Sequence, residues 1–166
     1  MRASFSRRDF LQSASAAGSI GLLGEWANQL PAVSAEETKP NPQAVKFTAD
    51  IEPLVQLLEN TAQDKVLEEV AGRIRQGKIN YQQVVTALQL AGIRNVQPRP
   101  SVGFKFHAVL VVNSAHLASL ASPDEHRWLP IFWAIDAFKE SQARDVSEGN
   151  WTMSAVKDGK LPAAHE

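Results

Sequence analysis

Apolar residues recurring three and four places apart, in successive stretches separated by capping and breaking residues, constrain this chain more than any other feature. That spacing lines them up on one side of an α-helix. Ile51, Leu54, Val55 and Leu58 make the first stripe. Asp50 stands where an N-cap is wanted, and Pro53 falls in the first turn, where a missing N–H has no intrahelical partner to lose. A second stripe, Val66, Leu67, Val70 and Ile74, follows Thr61 and Asp64, which have the spacing of a capping box, and Lys65, Glu68, Glu69 and Arg73 face the other way. Gly77 suits a left-handed stop. Asn80 then offers a new N-cap with Gln83 at the capping-box position, and Tyr81, Val84, Val85, Leu88 and Ala91 carry the stripe to Gly92.

Asn95 to Gly103, with Pro98 and Pro100, reads as a hinge, because proline removes a donor and pushes its predecessor out of helix. Phe104 to Ala121 is apolar nearly all round, which predicts a helix buried on most of its sides. Ser122-Pro123-Asp124-Glu125 has the form of a cap, an opening proline and a box-closing glutamate. The helix it announces bears Trp128, Ile131, Phe132, Ile135 and Phe138 along one side. Pro130 lies beyond the first turn of a helix so placed, and a kink is expected there.

The fold class that follows is all-α: two antiparallel helical hairpins preceded by one short N-terminal helix and followed by an irregular C-terminal tail. Residues 50–145 form the helical domain, residues 36–49 a flexible linker rich in polar residues with Pro40 and Pro42, and residues 146–166 the tail. The second hairpin carries more apolar surface than two hairpins need for a common core, so it either centres that core or meets a partner.

Ahead of the linker stands Ser6-Arg7-Arg8-Asp9-Phe10-Leu11, then a short alanine-, glycine- and serine-rich stretch from Ala14 to Leu23, and then Val33-Ser34-Ala35. This resembles the signal of the twin-arginine translocation (Tat) pathway, with Gln12 where the pattern prefers lysine. The resemblance implies that Arg7, Arg8, Phe10 and Leu11 are read by the Tat translocon. It also implies that residues 1–35 are a signal peptide cut after Ala35, with the remainder periplasmic or otherwise extracytoplasmic, and membrane-anchored where the cut is not made. The stretch Ala14 to Leu23 is too short and polar to span a bilayer stably. The Asn150-Trp151-Thr152 glycosylation triplet has no use under a signal of this bacterial type.

The chain has no cysteine among its 166 residues. An exported domain of this kind is held by packing alone, and thiolate zinc sites, cysteine-ligated iron–sulfur clusters and thioether-linked haem are excluded. With 17 basic and 18 acidic residues interspersed, the formal net charge is −1. Nucleic-acid binding needs a cationic face to displace counterions, so no nucleic-acid partner is expected.

Four histidines are the candidates for chemistry. His107 and His116, nine residues apart at about 100° each, fall on opposite faces of one helix and cannot share a metal. His116 and His126 flank the turn at Ala121-Ser122, where a tight hairpin could bring them together beside Asp124 or Glu125 as a metal site. A helix-end histidine beside a solvated one is the plainer reading. His107 and Ser114 share a face but lack an orienting acid and an oxyanion hole, which favours a satisfied polar pair. Asp136 interrupts the aromatic run from Trp133 to Phe138, and is an acid–base candidate if buried or simply part of the wet face.

No phosphate-cradling glycine loop, zinc-binding histidine helix or acidic calcium loop is present. The region beyond the signal also loosely resembles uncharacterised helical secreted proteins with the same leader, a comparison that supplies no activity and admits a longer parent chain. The leading expectation is therefore an exported helical binding or scaffold module. A second is a small accessory subunit of an exported cofactor-bearing dehydrogenase. The small subunits of membrane-bound sugar dehydrogenases are similar in size, helicity and signal, although their internal motifs have no match here. A third is a metal- or haem-dependent enzyme using His116 and His126. No specific cofactor follows from the residues.

Overall fold

A computed structural model of the chain describes residues 29–39, 49–96 and 103–155, with the side chains of 103–107 left out. Arg7, Arg8, Phe10 and Leu11, the prolines of the hinge and linker, the side chain of His107, and His165 lie outside the described residues. Within them the chain is all-α, with five α-helices and no strand. These are α1 (Glu52–Asn60), α2 (Gln63–Arg75), α3 (Tyr81–Asn95), α4 (Gly103–Leu120) and α5 (Trp128–Glu148). No described helix is long and apolar enough to cross a membrane.

The stripes become the core. Leu54, Val55, Leu58, Val66, Val70, Ile74, Tyr81, Val84, Leu88, Trp128, Ile131, Phe132, Ile135 and Phe138 are all buried, with Ile51, Leu67 and Val85 packed at its edge. Each fully buried aliphatic or aromatic side chain contributes about 1.5–3 kcal/mol over an exposed one, which is why these positions and not the caps dominate stability. α5 packs along α4, α4 along α3, and α3 along α1, while α2 lies on α5. The tight link at Gly77 (φ +65°) thus turns the chain without making α2 and α3 each other's main partners.

Local signals were realised unevenly. Asn80 and Gln83 form the full capping box, each side chain bonded to the other's backbone N–H at 2.9 Å. Asp50 does not cap α1. Ala49–Ile51 form a short 3-10 turn, and Ile51 fills the cap position with no side-chain bond. Thr61 closes α1 rather than opening α2, whose N-cap is Ala62. The proposed box at Ser122 is also absent. The Ser122 hydroxyl donates back to the Ala118 carbonyl at 2.9 Å, and Asp124–His126 form a separate 3-10 turn. Because α5 therefore begins only at Trp128, Pro130 sits in its first turn, where the missing N–H costs no intrahelical hydrogen bond and no kink is required.

α3 runs past Gly92, where its stripe ends, to Asn95 at the edge of the expected hinge, and Gly92 is an interior position where α4 passes very close. One further expectation is revised. α4 is not buried on most sides. Its inward row is Ala108, Val112, Ala115 and Ser119, whereas Leu110, Leu117 and Leu120 are exposed. α5 continues to Glu148 and ends at Gly149 (φ +135°), after which the Met153 amide returns to the Arg94 carbonyl at 2.9 Å.

Buried charge fastens α1 to the rest. The Arg94 guanidinium, 5% exposed, gives Nη1 to both Glu52 carboxylate oxygens at 2.8 Å, and gives Nε and Nη2 to the two oxygens of Glu59 at 2.7 and 2.8 Å. This planar fork satisfies two carboxylates at once, a geometry lysine cannot reproduce. The hydrogen bonds to Glu59 raise the Arg94 pKa still further, with burial opposing. Lys139 of α5 donates to the Leu58 and Glu59 carbonyls at 3.1 and 3.0 Å, a cation on the C-terminus of α1. Burial lowers its pKa, and the neighbouring Glu59 pulls the other way.

Candidate functional site

Four segments converge at one end of the bundle. The capping box at Asn80 fixes the first turn of α3 and so aims Tyr81 inward. The last turns of α4 bring His116 and Ser119. The start of α5 brings Arg127 and Trp128, and residues 30–33, far back in the chain, close the corner from outside.

Tyr81, 2% exposed, places its hydroxyl 3.0 Å from Nδ1 of the half-buried His116. Its ring lies 5.5 Å from that of Trp128, which in turn meets Phe132 edge-on at 6.0 Å. Burial raises the phenol's pKa, against smaller opposing effects of Ser119 and the Arg127 charge. Burial also lowers the His116 pKa. Both groups are therefore neutral at pH 7, and which of them donates is set by the imidazole tautomer. Ser119 donates to the Arg127 carbonyl at 2.8 Å, tying the end of α4 to the start of α5.

Arg127 is buried and paired with Asp124 at 2.8 Å, and the same Nη1 donates to the Val33 carbonyl at 2.7 Å. The Trp128 indole donates to the Pro31 carbonyl at 3.0 Å, and the Val33 amide donates to the Asp124 carbonyl at 3.1 Å. Val33 itself is 2% exposed and belongs to the core. Ala35, after which the signal-type cut is expected, lies two residues on in an exposed turn held by Ser34 and Glu37.

The histidine pair singled out by its spacing is thus placed in unlike settings. His116 is packed against Tyr81, whereas His126 is exposed in the 3-10 turn. Among the described residues no three potential ligands of histidine, aspartate or glutamate type gather to hold a metal. Ser114 is exposed. Asp136 is half-buried and accepts from the Gln63 amide at 2.8 Å, joining α5 to the start of α2.

What sequence reasoning missed is Tyr81 as the partner of His116, and Arg127 with Trp128 as readers of backbone. One signal pointed to the first. The chain's single tyrosine stands inside a core stripe, and a buried phenol needs a hydrogen-bond partner. Nothing local pointed to the second.

The chain matches no protein-family model and, at a significant level, no curated protein and no solved structure.

Proposed function

We propose that this chain is an exported helical binding module that meets a protein partner through the outward face of α4. The observation that carries this reading is the inverted packing of that helix. It turns its small residues Ala108, Val112, Ala115 and Ser119 inward and leaves Leu110, Leu117 and Leu120 41–57% exposed. Isolated exposed leucines are ordinary, but three on one side of one helix make a stripe of the kind a partner's groove accepts at i and i+7. Trp133 of α5 is also exposed, at 54%. Small inward residues let α4 approach α3 closely, so the leucines have no room on the core side.

Export is the second half of the proposal and rests on Arg7 and Arg8. Replacing both with lysine should abolish recovery of the protein outside the cytoplasm, and undiminished recovery would remove the export reading. For the partner, native purification from the periplasm is compared with the same purification of the Leu110→Gln/Leu117→Gln variant. A component lost from the variant while its circular dichroism is unchanged supports the α4 face. Co-elution with a large flavoprotein would identify the accessory-subunit reading. A component retained equally by both proteins would move the interface elsewhere.

A further inference from the structure

We infer that the corner built by Asp124, Arg127 and Trp128 is a peptide-binding groove whose ligand is the chain's own segment Leu30-Pro31-Ala32-Val33. The groove recognises that segment as a separable ligand, whether or not it is covalently attached. The contacts are of the kind by which a groove binds an extended peptide. Main-chain groups are read directly: the Val33 amide by the Asp124 carbonyl, the Val33 carbonyl by Arg127, and the Pro31 carbonyl by Trp128. One side chain, Val33, is sunk into the core, and Leu30 packs at the edge of that core. Pro31 and Ala32 point to solvent. Backbone bonds thus supply affinity and the Val33 pocket supplies selectivity for a compact aliphatic side chain.

The ligand is also prepared for this conformation. Pro31 has a fixed φ and biases Leu30 toward extended backbone, so less freedom is lost on docking than for an unrestrained peptide. The connection that follows is of a different character. Ala35, Glu36 and Glu37 are exposed, and the turn closes on itself through Ser34 and Glu37, while its far side is held to α3 by Gln82, which donates to the Glu37 and Lys39 carbonyls at 3.3 and 2.9 Å. The chain can therefore be severed in this turn without disturbing any of the three main-chain bonds that hold the segment. After a cut at Ala35 the leader remains bound as a non-covalent ligand.

The test uses the full chain with a specific protease site inserted after Ala35. The folded protein is cut and passed through gel filtration. The N-terminal fragment is expected to co-elute with the helical domain, and the same cut in a Val33→Asp chain is expected to release it. A fragment that separates from a domain of unchanged circular dichroism overturns the proposal, as does equal retention in both chains. Should cutting unfold the domain, a labelled peptide of residues 29–35 is titrated onto the uncut Val33→Asp chain and the uncut wild type. Binding to the variant but not to the occupied wild type, at least tenfold weaker when the peptide carries aspartate for Val33, supports the groove. No binding to the variant, or equal binding to both chains, overturns it.

Discussion

Gly92 of α3 faces the backbone of Ala108 in α4 so closely that a β-carbon at 92 would lie 2.7 Å from the Ala108 carbonyl oxygen. The obstacle is main chain, which has no rotamer to yield. Gly92→Ala is therefore expected to lose about 1–3 kcal/mol to overpacking, more than the roughly 1 kcal/mol that alanine gains in a helix interior. Gly72 in α2 has nothing within 4 Å of the same position. Gly72→Ala is expected to stabilise by about 0.5–1 kcal/mol. Urea unfolding of the two variants should give shifts of opposite sign, and a shared sign would show that α3 and α4 are not in this close contact.

Arg94 is the cation shared by the buried Glu52 and the half-buried Glu59. Arg94→Met is expected to cost about 3–5 kcal/mol by chemical denaturation, because the Glu52 and Glu59 charges lose the cation they share, with the Asn95 amide left on Glu59. Glu52→Gln and Glu59→Gln added to that variant should recover part of the loss. A loss under about 1 kcal/mol would mean that the fork is solvated and contributes only as a surface pair does.

His116 makes stability depend on pH in a defined direction. Its folded pKa lies below 6.5, so between the two values the unfolded chain binds more protons than the folded one. Its contribution is then a penalty, absent above about pH 6.5 and growing as pH falls through the folded value, below which it is constant. In His116→Gln the decline of melting temperature from pH 7 to pH 5 should be shallower than in the wild type. An unchanged slope would assign the acid sensitivity to other groups.

The capping box gives a smaller effect of known sign. Asn80→Ala deprives the Gln83 amide of its acceptor and is expected to cost about 0.5–2 kcal/mol. Since that cap also sets the first turn of α3, the ring of Tyr81 should shift with it. Near-ultraviolet circular dichroism checks this, and a change in stability without one would confine the cap to helix energetics.

Helix existence was legible because it is written within a turn or two of chain. The stripes at Val66–Ile74 and Trp128–Phe138, the cap at Asn80 and the stop at Gly77 each depend on residues three or four apart, and each is found where the pattern placed it. Periodicity also marked most of the helical residues that enter the core; it did not mark Val33, which lies in no stripe, nor the buried face of α4, where apolar residues stand on every side and the pattern selects none. Tertiary structure made that selection, and it chose the small residues because α3 and α4 approach through Gly92 and Ala108. The same holds for Pro130, whose effect depends on where a helix starts once the 3-10 turn before it has used up three residues. The candidate site was the least legible part. Tyr81 reaches His116 across 35 positions and Arg127 reaches Val33 across 94. No local rule relates such pairs. Only the packing of the helices, driven by burial of the stripes, carries those groups to within hydrogen-bonding distance.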